Sequence, residues 1–397
     1  MKAAPIILSL NSGSSTRKFS LYRITDKAEV LLAEGEIERL GTRSARMQVR
    51  DGKKKILSAK SNFPYPKAPL LKIFKALTEL KLPSPDAAGH RLVNGGPDHF
   101  APERITARVI SELKRLIPFA PLHLPDEIRG IEETAAHYPS LPQVACFDTA
   151  FHHAMPEVAR RFPVLRALWG QGLRRFGFHG ISYEYIIQTL GHDAPSRIII
   201  AHLGNGASMV AVRDGRPLET TMGFSPTGGF MMGTRSGDLD PGAILFLLNQ
   251  KKLDPSKLER LVNDHSGLLG VSGTSSNMET LLERRRFEPH AAQAVEMFCY
   301  HARKQIGALT TVLGGLDLLV FTGGIGEHAA PVRWEICRGL EYLGISLDSE
   351  QNSASADLIS AGDSHSLVRV IPTNEDLMIA RHTHKLVFRD SQQTRHA

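Results

Sequence analysis

The fold of this chain is predicted by residues 197–212, RIIIAHLGNGASMVAV, which read as a β-strand, a turn of small residues and a second β-strand. The same pattern occurs at residues 5–22, PIILSLNSGSSTRKFSLY. A single turn of this kind is typical of an ordinary β-hairpin. Two of them, with a later strand that ends in FTGGIGE (residues 321–327), indicate two halves built alike. Because backbone N–H groups in such turns bind phosphate, the two hairpins predict a clamp for a polyphosphate.

A further run, GGFMMGTRSGD at residues 228–238, places an arginine in a turn of glycines and small hydroxyl residues. Gly228 and Gly233 have the spacing of a P-loop, but Thr234 and Arg235 stand where that loop needs Lys and Ser/Thr. A P-loop is therefore excluded. The planar guanidinium of Arg235 suits another task, since it binds a carboxylate or a phosphoryl group through two donors and stays charged at any working pH.

Strand-like and helix-like segments alternate along the chain, which predicts an α/β fold. Arg91 and Asp148 fall at the ends of two predicted strands. In open α/β sheets the ligand crevice lies at the carboxyl ends of the strands, so both are candidate site residues. The predicted strands are 5–10, 18–24, 29–37, 87–93, 143–148 and 317–322, and the predicted helices lie near 68–80, 102–117, 125–137 and 288–313.

Composition limits the class of protein. The chain has 397 residues, enough for two domains, and although 42% are hydrophobic no apolar run reaches the length of a membrane span. The first residues, MKAAP, run directly into a strand instead of a signal-peptide core, so we expect a cytoplasmic protein with no membrane partner. Cys146, Cys299 and Cys337 fit neither a disulfide framework nor a zinc spacing and are predicted to be reduced core residues.

The formal net charge of +7 raises the question of a nucleic-acid partner. Lys and Arg are dispersed, aromatic residues make up only 7%, and the sequence has no stacking motif or recognition helix. We therefore expect no nucleic-acid binding. A small anionic substrate accounts for the excess of positive charge.

Nine short motifs stand in a defined order along the chain. They are NSGSS with KFS (11–20), GHRLV with GG (89–96), APLH (120–123), FDTAFH (147–152), GFHG (177–180), HLGNGAS (202–208), MGF through MMGTRSGD (222–238), FTGGIGE (321–327) and PTNED (372–376). In this order they resemble the acetokinase family, which belongs to the acetate and sugar kinase and actin superfamily. The resemblance runs from Leu8 to about His384.

This resemblance implies an α/β fold of two ribonuclease-H-like (actin-like ATPase) domains with an ATP and magnesium cleft between them, and a homodimer. The first domain is expected to comprise residues 1–148 and a returning segment of about 375–397. The second, residues 149–374, carries the nucleotide-binding motifs. No Pro/Ser/Gly-rich linker separates the two, so the boundary near residue 149 is inferred from the repeated hairpin.

The implied function is that of an acetate kinase, the reversible transfer of the γ-phosphoryl group of ATP to acetate, which gives acetyl phosphate and ADP. Mg²⁺ is the expected cofactor, with Mn²⁺ as the alternative ion, and ATP or ADP is the co-substrate. One alternative keeps the chemistry but uses propionate or another short-chain carboxylate, or takes pyrophosphate as donor. Another is an actin-like nucleotide-binding module without transfer activity, which is disfavoured because such a module needs no second arginine aimed at a carboxylate.

The resemblance also implies roles for individual residues. The expected catalytic residues are Arg91, Asp148, His179 and Arg235. Arg91 also binds the acetate, in a pocket formed with Val93, Leu122, Phe178 and Pro226. The nucleotide is expected to contact Ser14, Ser15, Lys18, His202, Asn205, Gly206, Ser208, Asn277, Gly324, Ile325 and Gly326, and the metal to be placed by Asn11 and Glu375.

Several positions depart from the family pattern. Asn94 and Tyr183 stand where the family usually has His, and Asn277 and Glu279 replace an Asp and an Arg. An arginine could stack on the nucleotide base, whereas the carboxylate of Glu279 cannot, so we expect weak discrimination between ATP and GTP. Near the C-terminus, residues 382–384 (HTH) are expected to be exposed tail instead of a metal site.

Overall fold

The structure is a computed structural model that describes residues 4–12, 16–25, 27–38, 46–51, 54–60 and 69–389. The chain divides into two compact units. The first contains the residues up to Phe151 and those from Asn374 onward, and the second contains His152–Thr373. Each unit has its own sheet, and the predicted α/β class is confirmed.

In the first unit the described residues form a sheet of eight strands in the order β5-β4-β3-β2-β1-β6-β8-β7. Strands β1 to β5 pair antiparallel, while β6 runs parallel to both β1 and β8. The strands are β1 Ile6–Ser12, β2 Arg17–Ile24, β3 Glu29–Glu38, β4 Arg46–Asp51, β5 Lys54–Lys60, β6 Ala87–Leu92, β7 Glu103–Arg104 and β8 Gln143–Phe147.

In the described part of the first unit, three helices precede the second unit in the chain: α1 Pro69–Glu79, α2 Ala107–Arg115 and α3 Leu124–His137. The helix predicted over 102–117 is shorter than expected. Glu103 and Arg104 extend the sheet as β7, and Thr106 then caps α2 by accepting a hydrogen bond from the N–H of Val109. A single 3₁₀ turn follows at Ile117–Phe119.

The second unit has a sheet whose described strands follow the order β11-β10-β9-β12-β13. They are β9 Arg197–Leu203, β10 Ala207–Arg213, β11 Arg216–Thr220, β12 Leu318–Thr322 and β13 Leu367–Val370. Three antiparallel strands are followed by two parallel ones, the same arrangement as β3-β2-β1-β6-β8 in the first unit. The two predicted hairpins, β1–β2 and β9–β10, occupy the same place in the two sheets, which confirms two ribonuclease-H-like domains.

The helices of the second unit lie mostly between β11 and β13. The longest, α11, buries a face at helical spacing that includes Ala291, Val295, Phe298 and Ala302. The helices are α4 Glu157–Arg160, α5 Ala167–Gly170, α6 Gly180–Leu190, α7 Pro241–Asn249, α8 Pro255–Asp264, α9 Gly267–Ser272, α10 Met278–Arg284, α11 Pro289–Leu313, α12 Gly323–His328, α13 Ala330–Cys337 and α14 Ser349–Ser353, with 3₁₀ turns at Ala150–Ala154 and Glu341–Leu343.

The last helix, α15 Glu375–His384, belongs to the first unit and packs on β1, β2 and β6. Gly89 permits the close approach, since a β-carbon there would lie 2.2 Å from Oγ1 of Thr383. Thr383 and His384 are buried, so the prediction of exposed tail is wrong for both. A π-helical turn, Lys385–Arg389, follows.

Two predictions from composition can be compared with the structure. All three cysteines are buried thiols. Burial raises the pKa of the Cys299 thiol to about 12, which keeps it protonated as expected of a core residue. Among the residues that the structure describes, no helix is both long enough and apolar enough to cross a bilayer.

Candidate functional site

In the first unit, Arg91 near the end of β6 contacts Asp148, the residue that follows β8. Nε of Arg91 donates to the two carboxylate oxygens of Asp148 at 3.1 and 3.0 Å, and Nη2 also donates to Oδ2. Nη1 donates to Oδ1 of Asn11 at 3.3 Å and to the carbonyl of Ser12 at 3.4 Å. Because β6 and β8 are neighbouring parallel strands, the two charges that the sequence placed at strand ends meet.

The environment of Arg91 keeps it charged and in one orientation. Its side chain is 13% exposed. Burial by itself lowers the pKa of Arg91, but the negative charges of Asp148 and Glu375 more than offset this, and the pKa is raised above its usual value. Since Asp148 takes the Nε and Nη2 donors, it fixes the plane of the guanidinium.

Glu127, on α3, is a buried carboxyl beside this pair that the sequence did not single out. Both of its oxygens accept from the backbone N–H of Val93, at 3.2 and 3.1 Å. Burial raises the pKa of Glu127 to about 8, although the charge of Arg91 acts in the opposite direction. A glutamate inside a helix gives no sequence signal of this role, because the contact depends on how α3 packs against β6.

The expected metal-placing residues also meet in the first unit. Nδ2 of Asn11 donates to Oε2 of Glu375 at 3.0 Å. The next residue, Asp376, accepts at Oδ2 from the hydroxyl of Ser20 at 2.8 Å. Asn374 caps α15 by accepting from the N–H of Leu377, and this cap holds the two carboxylates in the first helical turn.

These residues fit a hard divalent cation. Within the described part of the chain, no three His, Cys, Asp or Glu side chains gather as a metal cage. Mg²⁺ does not need one, because it is commonly held by one or two carboxylates with waters and substrate phosphates. Glu375 supplies such a carboxylate, which is held by the amide N–H of Asn11.

In the second unit, His179 is held by the ring of His202 and the hydroxyl of Ser208. It precedes α6 in a left-handed conformation, with φ of 58°. Its ring stacks on that of His202, with centroids 4.2 Å apart, and Nδ1 lies 2.8 Å from Oγ of Ser208. The hydroxyl of Tyr183 contacts the same Oγ. If Ser208 donates to Nδ1, the ring proton is on Nε2, which can then donate to a ligand.

Arg235 comes close to His179 at the turn between β9 and β10. A β-carbon built on Gly206 would lie 3.2 Å from Nη1 of Arg235 and 3.4 Å from Nε2 of His179. Nη1 of Arg235 also donates to the carbonyl of Pro226 at 3.2 Å. A guanidinium and an imidazole N–H therefore converge on one point beside a turn of small residues. Such a group of donors suits a phosphoryl group.

The run at residues 228–238 forms its own turn, and its glycines make that turn possible. A β-carbon on Gly233 would lie 2.1 Å from Oδ1 of Asn205, so only glycine leaves room for that side chain. Gly237 has φ of 73°, and a β-carbon there would meet the backbone of Phe230 at 2.5 Å. The run therefore packs Arg235 against the β9–β10 turn, without the phosphate cradle of a P-loop.

A cavity of about 810 Å³ begins at Gly204 and Asn205 and is bounded by α10 and the start of α12 and α13. Its size is typical of small-molecule sites. Four predicted nucleotide residues line it: Asn205, Asn277, Gly324 and Ile325. Asn277 also caps α10 by accepting from the N–H of Thr280 at 2.9 Å. Gly326 is buried beneath the lining.

The other predicted site residues are divided between the two units. In the first unit Lys18 lies on β2 and lines a separate small cavity with Asp376, Val93 is buried, and Leu122 is exposed. In the second unit Phe178 is buried and Ser208 is fully buried. Ser14 and Ser15 lie outside the described residues.

Sequence reasoning missed the residues that support His179. Tyr183 was noted only as a departure from the family pattern. Ser182, which is 2.9 Å from Nδ1 of His202 and donates to Oγ1 of Thr373 at 2.8 Å, was not considered. The i, i+3 and i+4 spacing of residues 179, 182 and 183 at the start of α6 is the signal that could have found them.

Comparisons with known proteins give one consistent result. Residues 6–381 match the model of the acetokinase family. An acetate kinase of Rhodopseudomonas palustris is 45% identical over 395 residues, with 96% of this chain and 98% of the relative covered. The crystal structure of Porphyromonas gingivalis acetate kinase has a TM-score of 0.86 at 36% identity, covering 97% of this chain and 100% of that one. A propionate kinase from Francisella tularensis has a TM-score of 0.90 at 35% identity, covering 96% and 100%.

Proposed function

The chain belongs to the acetokinase family, and we propose that it is an acetate kinase. It transfers the γ-phosphoryl group of ATP to acetate, which gives acetyl phosphate and ADP, and the reaction runs in both directions. The observation that carries this proposal is the convergence of Arg235 and His179 at Gly206, beside a cavity of nucleotide size. The similarity to a 45% identical relative that is named acetate kinase also supports the proposal.

Phosphoryl transfer to acetate requires positive charge in the site more than it requires a general base. Acetate is ionised at neutral pH, so no group has to remove a proton from the nucleophile. The difficulty is that an anion must approach a γ-phosphate that is also anionic. The transition state spreads negative charge over three equatorial oxygens, so fixed cations and N–H donors lower the barrier.

In the second unit, Arg235 and Nε2–H of His179 donate to the oxygens of the transferred phosphoryl group. Ser208 and Tyr183 orient the imidazole, and the ring of His202 packs against its face. Asn205, Gly206 and the start of α12 bind the nucleotide, with Gly324 and Ile325 beside the adenosine. The amino-terminal end of a helix suits phosphate because its N–H groups are free to donate.

In the first unit, Arg91 binds the carboxylate of acetate, and Asp148 holds its guanidinium in place. Val93 and Leu122 contact the methyl group. Glu375 would hold the metal ion through its carboxylate, which Asn11 orients. Mg²⁺, when bound with the nucleotide, supplies positive charge that neutralises the phosphate oxygens.

We propose that the active form is a homodimer. Helix α7 contains Ala243, Ile244, Leu245, Phe246, Leu247 and Leu248, yet within the described chain none of its nine residues is buried. Leu245 and Phe246 are more than half exposed. An apolar helix left uncovered in one chain is typical of a protein interface. Analytical ultracentrifugation of the purified protein tests this, and a monomer at micromolar concentration would exclude it.

Propionate is the second candidate acceptor, favoured by the similarity to a propionate kinase structure. One experiment separates the candidates. Purified protein is incubated with acetate, propionate or butyrate, each with ATP, GTP or pyrophosphate, and the acyl phosphate is trapped as hydroxamate. We expect the highest kcat/KM with acetate and a nucleoside triphosphate. Product formed only with pyrophosphate, or with no donor at all, would overturn the proposal.

A further inference from the structure

Two carboxylates line the cavity that the proposed function assigns to the nucleotide. Glu279 and Glu283 lie one turn apart on α10. Neither makes a hydrogen bond or an ion pair with another described residue. The described residues that line this cavity include no lysine or arginine. The two carboxylates that α10 contributes to the cavity are therefore hydrogen-bond acceptors without a partner among the described residues.

The position of these carboxylates relative to the phosphate end indicates what they would contact. Under the proposed function, the phosphates bind at Gly204 and Asn205, which line the cavity. Met278, Leu282 and Ile325 line it too and supply apolar surface of the kind that packs on a flat ring. A base held there presents its polar edge to the carboxylates of α10.

Purine bases differ in the hydrogen-bond donors and acceptors that they present to a carboxylate. Guanine has two adjacent N–H donors, at N1 and at the 2-amino group, and their spacing matches the two oxygens of one carboxylate. Adenine has a donor at its 6-amino group beside an acceptor at N1, which repels a carboxylate oxygen. Hypoxanthine has the N1 donor alone. A matched bidentate pair gives substantial discrimination against the wrong base, whereas an unmatched polar group is left unsatisfied.

We propose that this chain is selective for guanine nucleotides and that Glu279 and Glu283 contact the base, in place of the weak discrimination between ATP and GTP that is expected from the sequence. The proposal rests on the proposed function and sharpens it, because it names the preferred phosphoryl donor as GTP. ATP remains a substrate with a lower kcat/KM. His328, which lines the same cavity, has a ring N–H that can donate to the 6-oxo group of guanine.

The test is a comparison of GTP, ITP and ATP as donors to acetate. In the unmodified protein we expect kcat/KM for GTP to exceed that for ATP by at least about tenfold, with ITP between them. In the double variant Glu279→Gln, Glu283→Gln, each amide offers a donor and an acceptor, the pattern that pairs with adenine. The GTP to ATP ratio should fall at least about tenfold, through KM with little change in kcat.

Glu296→Gln is the matched control, since Glu296 is exposed on α11 and does not line the cavity. This control should leave the GTP to ATP ratio of kcat/KM unchanged. A kcat/KM for ATP equal to or above that for GTP, or a ratio that the double variant does not alter, overturns base reading while leaving the kinase proposal intact. If no triphosphate gives acyl phosphate, the kinase proposal fails, and calorimetric binding of GDP against ADP then decides the base preference.

Discussion

At the scale of single residues, Arg91 is held by Asp148 and Asn11, and Arg235 donates to the carbonyl of Pro226. Replacing either by Ala removes a transition-state donor, so we expect kcat to fall by at least about a hundredfold. The measurement is acyl phosphate formation by the purified variant at saturating acetate and nucleotide. Arg108→Ala, at an exposed position on α2, is the control and should keep normal turnover. Turnover within a fewfold of normal in a folded Arg91 or Arg235 variant would remove that residue from the mechanism.

Val93 tests the acceptor pocket. Its side chain is 3% exposed, and its N–H is fixed by Glu127, so Val93→Ala opens space without moving the backbone. A methylene in an apolar pocket is worth about 1–3 kcal/mol, so the propionate to acetate ratio of kcat/KM should rise roughly fivefold or more. Val312→Ala, on the exposed side of α11, is the matched control. A higher kcat/KM for propionate than for acetate in the unmodified protein would contradict the pocket argument.

The contact of Arg91 with Asp148 was predictable because both residues end parallel strands, and strand ends meet at one edge of a sheet. The contact of Asn11 with Glu375 could be expected only from the family resemblance, since 364 positions separate the two residues. Neither the strand pattern nor the family resemblance indicated Glu127. Its role comes from burial, and burial of a single charged residue in an amphipathic helix has no pattern in the sequence.

At the scale of elements, Arg333 on α13 joins α12 to α14. Its fully buried guanidinium donates to the carbonyls of Gly326 and Glu327, at 2.8 and 3.0 Å, and to the carbonyl and side-chain oxygens of Asn352, at 2.7 and 2.9 Å. Arg333→Met leaves these buried acceptors unsatisfied, so we expect a loss of about 2–4 kcal/mol in the free energy of unfolding. Urea unfolding measures it, with the exposed Arg338→Met as control.

The same substitution should affect nucleotide binding, because α12 borders the cavity. We expect KM for the nucleotide to rise more than kcat falls. An unfolding free energy equal to that of the unmodified protein would show that Arg333 does not support α12.

The elements were predicted best where the local pattern was strong. The two hairpins and α11 are found close to their predicted bounds, because alternation and helical spacing are local properties. Strands β4, β5, β11 and β13 were missed. They are short, and β4, β5 and β11 carry many polar residues. Strand β13 pairs with β12, which is distant in the chain.

At the scale of the whole molecule, each unit contains a buried histidine whose pKa is well below its usual value. Burial lowers the pKa of His90 and of His152 to about 4, while the unfolded chain takes up a proton near pH 6.5. The free energy of unfolding should therefore fall as the pH drops from about 6.5 to about 4, by up to a few kcal/mol for each histidine. Urea unfolding at several pH values measures this slope.

His90→Gln and His152→Gln should each flatten that slope, even if they also change stability at pH 7. His365→Gln, at an exposed position, should leave it unchanged. A slope between pH 6.5 and 4 that is the same in all four proteins would show that these buried histidines do not determine the acid sensitivity.

Helix α15 has a consequence for the order of folding on the ribosome. The 222 residues 152–373 are synthesised after β8 and before Glu375, a delay of roughly ten to forty seconds at about 5–20 residues per second. During this time α15 does not yet cover its face of β1 and β6, and Gly89 on that face is not yet packed against the helix. The nascent chain can complete its second unit first. Under the proposed roles, an unfinished polypeptide can bind nucleotide through that unit but lacks the carboxylate that places the metal, so translation has to reach the last helix before phosphoryl transfer begins.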